Sequence, residues 1–449
     1  MNRLITVLML LGISLCSFGQ FKEVKVPNHL ISQSIPMIIK SENPDGYGTA
    51  EGIIGQKFEE AIVGETIYDL QGYNSLQQRI YTYPDGTIGM VWMMGFETGS
   101  WEDRGTGYNY YDGQEWGYSP TSRVESIFSG WPCYAPLGES GELIVSFHYD
   151  NSFWELVLNK REQKGEGLWE ESYLNGPETY GLAFPAVITN GENNSTIHLL
   201  AITRGGDYMG QPGALLYYRS QDGGQTWDIL HHYFEELGPD HLTLVFGDTY
   251  SWAAPRGDTL AFSVGFTSED GYVMKSYNNG DSWEKIEVYH SPYSPYPGGA
   301  TPTFGAGDFT SSVALDSQGK AHVTFGRLRY YYNNQSVQYY LPATEGIVYW
   351  NEDMDALDST SISSYTLDNL ISKGNLIGWI TPHNGDSTLM GWGNYYVSLT
   401  SYPQINIDEQ DRIFVIYSGV TAGYDNGVKN FRHIFGNSSN DGRLSMEWN

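Results

Sequence analysis

Tyrosines, histidines and acids supply the residues of this 449-residue chain whose types and spacing invite chemistry. Tyrosine is abundant, with 35 copies, and it is concentrated in Arg329-Tyr330-Tyr331-Tyr332 and Gln338-Tyr339-Tyr340. Rings so placed either stack on sugar faces or pave the surface of a sheet. His148, the pair His231-His232, and His241 have no companion at zinc-site spacing, so structural or solvated roles are expected. The acidic run Glu352-Asp353-Met354-Asp355-Ala356-Leu357-Asp358 lacks the glycine of an EF-hand loop and reads as a solvated loop rather than a calcium site. Neither a metal nor a cofactor is expected.

The start of the chain bears on where this chemistry takes place. Residues 1–20 have the parts of a secretory signal: Arg3, an apolar stretch from Leu4 to Leu15, then Ser17-Phe18-Gly19 before Gln20. The apolar stretch is too short to span a bilayer, and no later run approaches the ~18 residues needed. A secreted or cell-surface protein without membrane insertion is therefore expected. Cys16 would leave with the signal, so Cys133 could form no intramolecular disulfide. The alternative, lipidation of Cys16, is opposed by bulky Leu15 where a small residue is required. A formal charge of −29, from 24 Lys+Arg and 53 Asp+Glu, argues against nucleic acid or an anionic membrane as partner. Asn193, Asn194, Asn334 and Asn437 begin glycosylation sequons, relevant only if the source glycosylates exported proteins.

Positioning depends on a repeat. The stretch Ser220-Gln221-Asp222-Gly223-Gly224-Gln225-Thr226-Trp227 reads as a hairpin turn, with Asp222 accepting backbone N–H groups, glycines free to take positive φ, and Trp227 capping the hairpin. Ser276-Tyr277-Asn278-Asn279-Gly280-Asp281-Ser282-Trp283 repeats it. Asn109 to Trp116 keeps the spacing from glycine to tryptophan, Trp169 follows a glycine-rich turn, and Ser439 to Trp448 looks like a copy with an insertion. Very apolar strands recur between these turns: Thr87 to Trp92, Glu142 to Phe147, Ile197 to Ile202, Asp258 to Val264, Lys320 to Phe325 and Arg412 to Tyr417. With a period of about 55–60 residues and no helical stripe, this predicts an all-β fold, a β-propeller of six blades, each a four-stranded antiparallel sheet. Seven blades is the alternative, since the insertion 353–397 has room for a degenerate one besides a short helix near Leu367 to Ser372. The domain layout is then a signal peptide at 1–20, a lead-in at 21–77 with a possible ring-closing strand around Ile62 to Leu70, and the propeller at 78–449.

With the repeat in view, residues 79–449 resemble the Asp-box (bacterial neuraminidase repeat) propellers typified by sialidases. The family box, Ser-x-Asp-x-Gly-x-Thr-Trp, is matched by Ser220, Asp222, Gly224, Thr226 and Trp227. Ser276, Asn278, Gly280, Ser282 and Trp283 match it with two conservative changes. The boxes mark fold, because they sit in outer hairpins away from the axis. The resemblance also implies a site. Arg79-Ile80-Tyr81 stands where the family has Arg-Ile-Pro, Asp85-Gly86-Thr87-Ile88 matches its following turn, and Glu102-Asp103-Arg104 falls in the loop of its acid. On that basis Asp103 is the candidate acid and Tyr424 the candidate nucleophile, with Arg79, Arg204 and Arg327 as candidates to hold a substrate carboxylate. Tyr81 in place of proline departs from the pattern.

Strong fold boxes beside an incomplete active-site pattern favour a monomeric, exported propeller that binds glycan or a cell-surface protein without turnover. An exo-acting glycoside hydrolase, most simply a retaining sialidase, is the alternative, and a scaffold within a larger exported protein is a third.

Overall fold

The structure is a computed structural model describing residues 61–439 apart from 77, 100, 150–152, 342–343, 360–365, 383–388 and 390–396. The signal segment, the lead-in before residue 61 and the box-like stretch to Trp448 lie outside the described residues. Strands alternate side chains between two faces and turn at Asp, Asn and Gly, and here they assemble into six small antiparallel sheets forming a six-bladed β-propeller. Blade one has strands Ile80–Thr82, Ile88–Met94 and Gly105–Tyr111. Blade two has Gly130–Leu137, Gly141–Tyr149, Trp154–Arg161 and Glu170–Leu174. In blade three they are Gly181–Asn190, Thr196–Arg204, Leu215–Ser220 and Ile229–Tyr233. Blade four comprises Tyr250–Trp252, Leu260–Gly265, Gly271–Ser276 and Glu284–His290. Blade five is built on Phe304–Leu315, Ala321–Tyr332, Ile347–Asn351 and Leu376–Gly378. Blade six contains Thr400–Ile407, Ile413–Asp425 and Asn430–Ser439.

Two details depart from a ring of uniform four-stranded blades. Blades one and six each show three antiparallel strands among the described residues. The insertion between the fifth and sixth repeats forms no seventh blade in its described part. It supplies the helix Leu367–Ser372, the outer strand of blade five, and Leu357–Asp358, which pairs parallel with blade four. From residue 61 to 79 the lead-in forms no strand among the described residues. It crosses the top of the propeller instead, where the Ser75 amide donates to the Asp248 carbonyl and the Ser75 hydroxyl accepts from the Ser311 amide.

The core lies between blades, because each strand presents an apolar row to either neighbour. Leu143, Val145, Leu199 and Ala201 pack blades two and three together, Leu200, Tyr217, Trp252 and Phe262 blades three and four, and Val273, Val323 and Phe325 blades four and five. Ile347, Tyr349, Ile405 and Val415 join blades five and six. No apolar cluster of described residues joins blades six and one, and Phe414, Ile416 and Ile434 of blade six are exposed.

The two box-like turns close at the bottom of the propeller, between third and fourth strands, by nearly identical bonds. In the first, the Gly224 amide donates to Ser220 Oγ at 2.8 Å, and the Thr226 amide and hydroxyl donate to the Asp222 carboxylate at 2.8 and 2.6 Å. In the second, the Gly280 amide donates to Ser276 Oγ at 2.9 Å and the Ser282 amide to Asn278 Oδ1 at 3.0 Å. Gly280 has φ of 86°, and a Cβ there would meet the Tyr217 hydroxyl, so only glycine fits. Arg219 links the turns of adjacent blades, donating to the Asn279 carbonyl and to Asp281, both at 2.7 Å.

Candidate functional site

Strand direction fixes which end carries function. First strands begin, and second strands end, at the top, where the longer loops gather around the axis. That end is the natural place for a site on a rigid scaffold. Inner strands of four blades open there with a register shift, and each places an aromatic residue in the left-handed region: Trp131 (φ 53°), Phe184 (56°), Phe309 (72°) and Tyr402 (54°). For bulky residues such backbone costs on the order of 1–3 kcal/mol apiece and persists only where surrounding packing enforces it. Trp131 lies in the apolar cluster between blades two and three, and Phe184 and Phe309 pack against such clusters.

On the side of blades one to three the rings form a continuous platform. Trp131 stacks on Phe147 with centroids 5.4 Å apart, Phe184 meets Trp131 edge-on at 5.4 Å, and Tyr149 stacks on Trp154 at 4.2 Å. Two arginines are set into it. The Arg104 guanidinium lies 4.2 Å from the Phe128 ring centroid and 5.3 Å from that of Trp131, and donates to the Ser129 carbonyl and the Tyr68 hydroxyl. Arg204 lies 5.1 Å from the Trp154 centroid and 5.8 Å from that of Phe184. Half-buried, its guanidinium makes no hydrogen bond or ion pair among the described residues. Burial pushes both guanidinium pKa values down, the nearby phenols of Tyr68 and of Tyr250 and Tyr73 opposing this. Neither touches a carboxylate among the described residues, in a chain where acids outnumber bases by more than two to one.

Below the rim lies a second polar group. Arg79 reaches Gln71 Oε1 at 3.4 Å, and its pKa is lowered by burial against the opposing charge of Asp248. Tyr250 donates to the Phe184 carbonyl, and burial followed by the Asp248 charge holds its phenol well above the usual range. Through Asp248 and Tyr250, Arg79 and Arg204 face one buried region. Arg327 donates to the Glu345 carbonyl at 2.8 Å and feels the Glu345 carboxylate. Asp103 accepts from the Phe96 and Glu97 amides and so closes its own loop. Tyr424 lies exposed on the hairpin of blade six, against Phe431 and His433. A cleft of about 310 Å³ runs between Asp69 to Leu76 of the lead-in and Tyr402, Tyr417 and Ile434 of blade six.

Arg104, Trp131 and Phe184 were not candidates from sequence. Arg104 adjoins Asp103, but nothing in its own type or spacing distinguishes it. The rings did leave a signal, since Trp131-Pro132, Phe184-Pro185 and Tyr402-Pro403 recur at the same point of three repeats. Among the described residues, Asp270, Glu287 and His290 bring potential metal ligands together, but Asp270 is already engaged by the Tyr272 hydroxyl and the Ser291 amide. No described helix is long and apolar enough to cross a membrane.

No protein-family model matches the chain, and no curated protein matches it significantly. Among solved structures it is similar to an ulvan lyase from a new polysaccharide lyase family, at 12% identity and a TM-score of 0.48, over 84% of each chain. It is also similar to a mutant sialidase from Streptococcus pneumoniae, at 12% identity and a TM-score of 0.39, covering 86% of this chain and 71% of that one. A Dyadobacter fermentans protein of unknown function aligns at 11% identity and a TM-score of 0.36, over 82% and 97% of the two chains.

Proposed function

We propose that this propeller is an exported protein that binds glycan at the cell surface, on the rim of blades one to three, without turning it over. The observation that carries the reading is Arg204. A half-buried cation between two aromatic faces, with no acid or carbonyl partner among the described residues, has given up hydration without internal compensation, and a ligand's hydroxyl or carboxylate oxygens would supply it. The flanking rings offer the apolar faces on which a pyranose stacks. Binding rather than turnover is supported by the state of a buried phenol beside Arg204. Burial holds the Tyr250 phenol well above its ordinary pKa, and its hydroxyl donates to the Phe184 carbonyl, whereas a phenolate nucleophile needs its pKa lowered.

Isothermal titration of the purified protein against neutral and acidic oligosaccharides tests this. Saturable binding to at least one of them, weakened about tenfold or more in Arg204→Ala, is expected. If no glycan binds, the reading fails and a scaffolding role is left; release of a free sugar from a fluorogenic glycoside would overturn the absence of turnover.

A further inference from the structure

We propose that the hairpin arm of blade five, from Arg329 to Leu341, is a second glycan-contacting platform that takes a carboxylate- or sulfate-bearing unit of an extended polysaccharide. The proposal rests on the glycan reading of the rim, which it extends to a separate element.

The arm exists because one strand outruns its partner. Ala321–Tyr332 pairs with Ile347–Asn351 only as far as Gly326, then continues upward and is met by Gln338–Leu341, with Arg329 opposite Leu341 and Tyr331 opposite Tyr339. Alternation divides its aromatic residues. Tyr330 and Tyr332 turn inward: the Tyr330 hydroxyl donates to the Gly307 carbonyl at 2.8 Å, and Tyr332 stacks on Tyr296 with centroids 3.7 Å apart. Core packing therefore accounts for these two. Arg329 and Tyr331 fall on the opposite face. Tyr331 lies parallel to Tyr339, 8° between planes and 5.0 Å between centroids, and both rings are half-buried rather than sealed.

Arg329 gives this face its chemistry. It is half-buried, and its guanidinium makes no hydrogen bond or ion pair among the described residues, although the chain holds 53 acids. Burial lowers its pKa with no counter-charge opposing. Two parallel tyrosines beside an uncompensated guanidinium match a sugar ring carrying an anionic substituent: the ring's C–H face against tyrosine, the anion on the planar fork of arginine. The arm rises at the same end of the molecule as Arg104 and Arg204 but from blade five, so a chain of sugars lying across the top would meet both. Two linked contacts raise affinity for a polymer far more than for a short fragment.

The test titrates the full chain with polygalacturonate, with a sulfated galactan, and with the trisaccharide of each. Tyr331→Ala/Tyr339→Ala and Arg329→Gln are expected to weaken polymer binding by about tenfold or more while leaving trisaccharide affinity at the rim unchanged. Tyr331→Phe, which keeps the platform, should bind as the unaltered protein does, and circular dichroism melting confirms that each variant folds. The preferred polymer identifies the anion as carboxylate or sulfate. If the arm variants bind both polymers like the unaltered protein, the arm is structural only and the proposal is overturned, with the rim reading intact. If Arg204→Ala changes nothing but the arm variants lose the polymer, the rim reading fails and the arm stands. If neither polymer binds the unaltered protein, the arm proposal falls while neutral-glycan binding at the rim is judged separately.

Discussion

His198 and Asp222 show how single side chains hold blade three, and they do so in different pH ranges. His198 is fully buried, with one ring nitrogen 2.7 Å from the Tyr217 hydroxyl and the other 2.8 Å from Asn190 Oδ1. Burial, with the Arg219 charge next, pushes its pKa from the ordinary 6.5 down to about 3. A folded-state pKa below the unfolded one means the neutral form is favoured by folding. This stability is complete above about pH 6.5 and is lost as pH falls toward 3, each tenfold change in the protonation equilibrium corresponding to about 1.4 kcal/mol. Asp222 is exposed, and the Thr226 hydroxyl and amide lower its pKa to about 2. Its contribution therefore persists down to about pH 4 and disappears between there and about 2. Thermal melts from pH 7 to 2 should show His198→Gln flattening the decline between about 6.5 and 4, and Asp222→Asn flattening only the part below about 4. A decline unchanged in both variants would show that neither group is linked to folding.

Among elements, blade two has a densely connected polar centre. Glu142 occupies the second position of its strand, as His322 does in blade five, and His198 stands one place further along in blade three, so a polar residue near that point is a recurring device. Fully buried, the Glu142 carboxylate accepts from Arg161 Nε at 2.5 Å and from the Tyr108 hydroxyl at 2.6 Å. The Arg161 guanidinium lies between Tyr108 and Trp169 at 4.5 and 4.2 Å from their centroids. Removing one partner strands the other charge in the interior. Glu142→Ala is thus expected to cost about 3–5 kcal/mol in urea unfolding. The Lys320–Asp353 pair, both partners solvent-exposed, is the contrast. Lys320→Ala should leave the urea midpoint nearly unchanged, because water screens such pairs.

In the whole molecule, net charge outweighs any single pair. A net −29 spread over a compact ring repels itself, and the repulsion acts between groups too far apart to be called pairs. Added salt screens it, the interaction between exposed charges fading beyond about 10 Å at 0.1 M. The melting temperature should therefore rise between about 10 and 300 mM sodium chloride, as scanning calorimetry can measure. A fall would show that surface ion pairs outweigh the net repulsion. The same field repels free anions, so an acidic ligand would need local positive charge, such as Arg104 and Arg204 carry.

The sequence alone determined the architecture, since a propeller repeats one two-hairpin unit and the repeat is written locally. Asp222, Gly224 and Trp227 make their turn through bonds within a few residues, so their spacing displays it without reference to the rest of the chain. The short helix at Leu367 to Ser372 was legible for the same reason. Blade number was less so, because the insertion's strands are completed by partners far away in sequence. The site belonged to tertiary structure. Arg104, Trp131, Phe184 and Arg204 are widely separated in the chain and come from three consecutive blades, and only the packing of those blades sets their rings and guanidinium groups side by side. Nor could strand position separate Arg204 from Arg327. Both lie where a second strand reaches the top, yet Arg204 is left among Trp154 and Phe184 while Arg327 donates to the Glu345 carbonyl, because what surrounds a strand end is set by loops and strands that the strand's own residues do not specify.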